Sequence, residues 1–247
     1  MWMAAFWHSS DMIPIKVVMH LAFIIRRGVH IFMRHTAYIF DFDGTLVDSM
    51  PYWSEKMLNI LKKNNIEYSS DIIKRIATLG DLGTAKYFQE ILGVKLSVNE
   101  MIEQMEAYAL PKYRDVITLK AGVLDYLHLL KENNCSIHVL TASPHKMLDV
   151  CLRRNGIFKL FDNVWSCDDF GTTKTDVNIY VQAVKRIGVN IGEAVFFDDN
   201  INAVKTAAKA GLFTVGVYDK SGEEYTEKLK EISDLYINSF VGLQKLP

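Results

Sequence analysis

From Met33 onward, short unbroken apolar runs alternate with segments whose apolar residues recur every three or four positions. Runs of about five residues rich in β-branched and aromatic side chains suit strands buried on both faces. They predict strands over Ala37–Phe42, Ser136–Leu140, Asn163–Cys167, Ala194–Phe197 and Phe213–Val217, with a short last one at Tyr236–Ile237. Between them the helical period predicts helices over Gly122–Leu130, Lys146–Asn155, Asn178–Ile187 and Ile201–Ala210. Gly156, Gly188 and Gly211 stand just past three of these ends, where helices favour a left-handed glycine. Regular alternation of this kind predicts an α/β fold, a Rossmann-like parallel sheet with helices on both faces.

One interval breaks the alternation. Between Asp48 and Asp115 the apolar residues keep only helical spacing: Trp53, Met57, Ile60 and Leu61, then Ile72, Ile73 and Ile76. Tyr87, Phe88, Ile91 and Leu92 continue the pattern, and Met101, Ile102, Met105 and Tyr108 complete it, with Pro111 read as the stop. The chain therefore divides into a core domain, residues 33–47 and 116–247, and an inserted α-helical cap, residues 48–115. Residues 1–32 read as an N-terminal extension. Its longest stretch free of Lys and Arg, Val17 to Ile25, is far short of the roughly 20 residues that span a bilayer. No stable membrane span is expected, and two readings stay open. Either Met33 begins the functional chain, or the extension is an amphipathic helix that docks on a surface.

Composition narrows the class. With 49% apolar and 23% charged residues the chain has an ordinary globular balance. A net charge of -1 and the lack of a basic stripe give no reason to expect a nucleic-acid partner. Cys135, Cys151 and Cys167 form no CxxC pair and read as buried small hydrophobes in a reducing compartment, the cytoplasm.

The chemistry gathers at strand ends. Asp41-Phe42-Asp43-Gly44-Thr45 follows the first apolar run, at the carboxyl end where open α/β sheets place their ligands. Alternation puts both carboxylates on one side, Gly44 permits a sharp turn, and the Thr45 hydroxyl is free to serve an anion. An Asp-Gly pair alone would be an ordinary turn. Further candidates close other strands: Thr141, and the adjacent acids Asp198 and Asp199 after Ala194–Phe197. Two neighbouring acids at a strand end call for a cation or donors between them, although Asp199 or Asn200 also suits a helix N-cap.

Taken in order, these residues resemble the haloacid dehalogenase superfamily, in its phosphatase branch with a helical cap, similar to phosphoglycolate phosphatase and β-phosphoglucomutase. The resemblance implies that Asp41 is the nucleophile that becomes phosphoaspartate and that Asp43 is the acid and base. It implies that Thr141 and the Ala142 backbone hold the phosphate, and that Lys174 neutralises it. Lys174 lies in Lys174-Thr175-Asp176-Val177-Asn178-Ile179-Tyr180, where Lys, Ile and Tyr keep the family register but two prolines and an acid are replaced. Asp199 with Asp198, Asp41 and Asp43 would hold Mg²⁺, and Asn202 would orient the acids.

The expected activity is Mg²⁺-dependent hydrolysis of a small phosphorylated metabolite. Phosphoryl transfer within a sugar phosphate and a non-catalytic binding protein are the alternatives. Asp43 argues against dehalogenation, which dispenses with the second aspartate. His145 is a candidate to line the pocket, the polar stretch Thr78–Thr84 to touch the substrate, and Glu223–Glu231 to form a solvated helix.

Overall fold

Six parallel strands, β1 (Ala37–Phe40), β2 (Ser136–Thr141), β3 (Asn163–Ser166), β4 (Ala194–Asp198), β5 (Phe213–Val217) and β6 (Leu235–Ile237), make one sheet. Their spatial order is β3-β2-β1-β4-β5-β6. The computed structural model describes residues 35–69, 71–76 and 79–244; the N-terminal extension and Thr78 lie outside the described residues. The helices in chain order are α1 (Met50–Lys63), α2 (Ile72–Ile76), α3 (Gly80–Glu90), α4 (Val98–Asp115), α5 (Val123–Glu132) and α6 (His145–Arg154). After them come α7 (Val177–Ile187), α8 (Ile201–Ala210) and α9 (Thr226–Ile232). This is the Rossmann-like α/β arrangement.

Burial follows the sequence periods. Tyr38, Phe40, Val139 and Phe197 point into one apolar layer with Tyr126, Leu127 and Leu148. Ile39, Leu140 and Phe196 point to the other with Ile179, Tyr180 and Ala207. Both faces of β1 are thus covered, which is why its residues read as an unbroken run. A third cluster, Met57, Ile60, Leu61, Ile76, Phe88, Met101 and Met105, lies among α1 to α4. Among the described residues no helix is long and apolar enough to cross a membrane.

Several expected boundaries move, each for a local reason. β1 stops at Phe40, because the chain turns at Phe42–Val47, where the Leu46 and Val47 amides donate to the Phe42 carbonyl. β3 stops at Ser166, whose side chain caps a 3₁₀ turn over Cys167–Phe170. β2 and β4 each run one residue further than expected, so Thr141 and Asp198 are the last residues of their strands. Pro111 does not close the helical segment but sits inside α4. Proline removes one backbone donor, and the helix recovers at once through the Val116 amide, which donates to the Lys112 carbonyl. The polar stretch expected as a loop after Thr78 is mostly the first turn of α3, where Asp81 pairs with the buried Lys56 of α1 at 2.7 Å. Near the C-terminus the single expected helix is a 3₁₀ segment, Lys220–Tyr225, followed by α9.

Candidate active site

Sheet order brings the chemical residues together. β1 pairs with β2 on one side and β4 on the other, with Phe40 opposite Val139 and Phe197. The Asp41 amide continues that edge by donating to the Phe197 carbonyl at 2.8 Å. Asp41, Asp198 and Thr141 therefore emerge side by side at the carboxyl edge, where the strand order reverses.

A buried charge cluster results. Lys174 places its ammonium 2.6 Å from Asp41 Oδ1 and 2.8 Å from Asp198 Oδ2. One oxygen from each of Asp41, Asp198 and Asp199 falls within 4.8 Å of the others, a spacing that can hold a metal ion. Three carboxylates against one ammonium leave two negative charges unbalanced, the charge a divalent cation carries. The titration tendencies say the same. Burial pushes the Asp41 carboxyl up to about 7, against the pull of Lys174. Burial also raises Asp198, and it drives Asp199 well above the carboxylate range with help from Asp198, Asp41 and Asp219. Burial alone would lower the Lys174 ammonium, but Asp198 and Asp41 hold it well above its ordinary value. An all-oxygen donor set of this kind fits a hard cation such as Mg²⁺.

The turn after β1 is shaped around these acids. Thr45, expected to serve an anion, is instead fully buried and bound to Asp199: its hydroxyl donates to Oδ1 and accepts from the Asp199 amide, both at 3.1 Å. Gly44 is left-handed at φ +76°, and a Cβ there would stand 2.5 Å from Asp199 Oδ2. Replacing Gly44 with Ala is expected to destabilise the protein by about 1–2 kcal/mol through backbone strain. If the three acids hold a divalent cation, the displaced Asp199 should weaken its binding as well, measured by titration calorimetry; unchanged affinity would argue against Asp199 as a ligand. Lys120 braces the turn from below, donating to the Gly44 carbonyl at 2.6 Å and the Tyr218 carbonyl at 2.5 Å and pairing with Asp219 at 3.1 Å.

Asp43 supplies no carboxylate oxygen to that group of three, although its charge helps to raise Asp41. It was expected among the metal ligands, yet the acidic group comprises Asp41, Asp198 and Asp199 without it. Both Asp43 oxygens are taken: the Tyr113 hydroxyl donates to Oδ1 at 2.6 Å and the Ser143 hydroxyl to Oδ2 at 2.5 Å.

The loop carrying Lys174 shows what replaces its missing prolines. Asp176 accepts from the Thr172 hydroxyl and the Asn178 amide, and its own amide donates to the Thr173 carbonyl. Tyr180, in the family register, shares its hydroxyl proton between the carbonyls of Lys174 at 2.9 Å and Ala203 at 3.1 Å. Thr141 is buried, and its Oγ1 accepts from the Ser143 amide at 3.1 Å, while Ala142 is exposed at the loop tip. The N-cap of α8 is Asn200, which accepts from the amides of Asn202 and Ala203. Asn202 is exposed on the first turn of α8, its backbone amide committed to that cap, and its side chain makes no hydrogen bond to the acids among the described residues. His145 is half-exposed at the start of α6 between Asp149 and Asp169, at 3.0 and 2.9 Å, and both its ring nitrogens are engaged there.

Sequence reading missed Tyr113, Ser143, Lys120 and Asp219. Only Ser143, a hydroxyl two positions past Thr141, carried a local signal.

Residues 38–217 match the family described as haloacid dehalogenase-like hydrolase. The pyrophosphatase PpaX of Bacillus velezensis is 29% identical over 185 residues, covering 74% of this chain and 83% of that protein. The validoxylamine A 7'-phosphate phosphatase of Streptomyces hygroscopicus subsp. limoneus is 26% identical over 181 residues, with 72% and 84% covered. Among solved structures, CbbY of Rhodobacter sphaeroides in complex with phosphate superposes with a TM-score of 0.72 at 20% identity, covering 84% of this chain and 96% of that one. A β-phosphoglucomutase from Clostridium difficile gives 0.70 at 22% identity, covering 85% and 93%. At these identities the structural likeness speaks for the fold alone.

Proposed function

We infer the reaction from one premise: the chain belongs to the haloacid dehalogenase-like hydrolase family, which it matches over residues 38–217. It is a phosphoric monoester hydrolase of that family, and we read its substrate as a small phosphorylated metabolite of the cytoplasm. The observation that carries the mechanism is Asp41 at the carboxyl edge of the sheet, 2.6 Å from a lysine and grouped with two further acids.

Asp41 attacks phosphorus with one carboxylate oxygen, and the bond to the leaving oxygen breaks with its electron pair. Asp43 gives that oxygen a proton, then takes one back from the water that hydrolyses the aspartyl-phosphate, so the enzyme returns to its starting state. Lys174 offsets the charge that Asp41 and the phosphate bring together. Thr141, the last residue of β2, and the Ala142 backbone hold the phosphate oxygens. A divalent cation held by Asp41, Asp198 and Asp199, Mg²⁺ by donor type, would screen the repulsion between carboxylate and phosphate. The helices of residues 48–115 act as the cap that excludes bulk water.

Phosphate release from p-nitrophenyl phosphate and a panel of sugar, polyol and nucleoside phosphates tests this reading. Activity is expected to fall below about 1% on chelation and to return with Mg²⁺. Release that ignores chelation, or none across the panel, would sink it. Isomerisation of glucose 1-phosphate without net phosphate release would instead favour the mutase alternative; relatives named as phosphatases favour hydrolysis.

A further inference from the structure

We propose that Tyr113 is a positioning residue for Asp43, fixing the direction in which that carboxyl delivers its proton to the leaving oxygen. The inference rests on the reading of Asp43 as acid and base given above.

Three observations lead to it. Tyr113 belongs to the last turn of α4, yet its hydroxyl reaches across to donate to Asp43 Oδ1 at 2.6 Å. Its ring is held independently of that bond. It is 4% exposed and stacks on Phe42, with centroids 6.0 Å apart and planes 28° apart. The Ser143 hydroxyl takes the second oxygen, so both Asp43 oxygens are assigned. A buried phenol pushed well above its ordinary value by its surroundings, burial first and Asp43 next, remains a donor throughout the working pH range. A serine hydroxyl can donate or accept, so it can follow a proton on and off the oxygen it faces.

The two oxygens of Asp43 then have different tasks. Oδ1 is occupied by Tyr113 in either protonation state. Oδ2, beside Ser143 in the loop that follows Thr141, carries the mobile proton. In the forward step the O–H bond at Oδ2 breaks, the proton joins the leaving oxygen as its bond to phosphorus breaks, and Asp43 is left ionised. Without the tether at Oδ1 the carboxyl rotates about its Cβ–Cγ bond, and the proton is delivered from a spread of directions.

Tyr113→Phe removes the hydroxyl and keeps the ring, so the stack on Phe42 survives and thermal melting should be close to that of the parent. A general acid matters most when the leaving group is poor. Relative to the parent, kcat/KM of the variant is therefore expected to fall about tenfold or more with an alkyl phosphate such as glycerol 1-phosphate. With 2,4-dinitrophenyl phosphate, whose leaving oxygen needs little protonation, the loss should stay below about threefold. KM should change little with either ester. Equal losses for both esters would overturn the proposal and leave Tyr113 a structural residue. Asp43→Asn is the control: it should show a larger contrast of the same kind. If Asp43→Asn also fails to discriminate between the esters, the assignment of Asp43 as the acid fails. Discrimination by Asp43→Asn alone removes only the role of Tyr113.

Discussion

Replacement of Asp41 by Asn is expected to lower kcat by about ten-thousand-fold or more, because an amide cannot form the acyl phosphate. The same variant should be more stable than the parent when no metal is present. In the fold, burial raises the Asp41 carboxyl from 3.8 to about 7. A raised carboxyl holds a proton that the unfolded chain has already released. Its contribution to stability is therefore full below pH 3.8 and is lost as pH rises through about 7. An amide carries no such dependence. Melting temperatures of parent and variant in a chelating buffer should accordingly diverge between those limits, with the variant higher at neutral pH. Lys174 keeps Asp198 as a partner, so the variant does not strand a buried cation. Retention of more than about 1% of parental kcat would refute the nucleophile assignment. Parallel melting curves would refute the electrostatic account while leaving the chemistry intact.

The second large effect concerns Lys174. Its ammonium, 13% exposed, is the cation between two carboxylates that are 7% and 0% exposed. Breaking a buried pair by deleting one partner leaves an uncompensated charge and costs about 3–5 kcal/mol. Lys174→Met preserves most of the side-chain volume, so the loss measured by urea denaturation in chelating buffer reports mainly the charge. Activity should fall about a hundredfold or more, since the variant cannot offset the charge that develops on the phosphate. Saturating Mg²⁺ should restore part of the stability, because an ion that binds only the folded state stabilises it by mass action. A destabilisation below about 1 kcal/mol would mean that the acids are neutralised by protons instead.

How much of this could be seen in the sequence depends on whether the cause is local. β1 and β4 are legible because strands covered on both faces are apolar almost throughout, and acids mark their ends, Asp41 after β1 and Asp198 with Asp199 at β4. Asp41, Asp198 and Asp199 come together because adjacent parallel strands end together, which the alternation of strands and helices already implies. The partners of Asp43 are another matter. Tyr113 is 70 residues away in sequence, on a helix whose apolar pattern reads simply as core, and nothing near it signals a carboxylate. Lys120 is equally silent, since a lysine before Ala121-Gly122 reads as solvated until the fold sets two carbonyls and Asp219 around it. Pro111 misled because its lost donor is one bond among many in an 18-residue helix. In the Lys174 loop the prolines signal stiffness, and here side-chain hydrogen bonds from Thr172 and Asp176 supply it in a form that no motif describes.

The position of β1 at the middle of the sheet also bears on how the chain is made. β1 is among the first described residues to leave the ribosome, yet its partners β2 and β4 begin only at Ser136 and Ala194. Until Ala194 emerges, the strand that leads into Asp41 has one open edge; until Ser136 emerges, it has two. The helices between Met50 and Asp115 meet no such delay, because the cluster around Met57, Phe88 and Met105 is complete within their own segment. Long-range parallel pairing is slow for this reason: loop closure must precede any gain from contact. Asp41, Lys174 and the acids that surround them thus first meet late in synthesis, and a nascent chain shorter than Asp199 has the helices without the charge cluster.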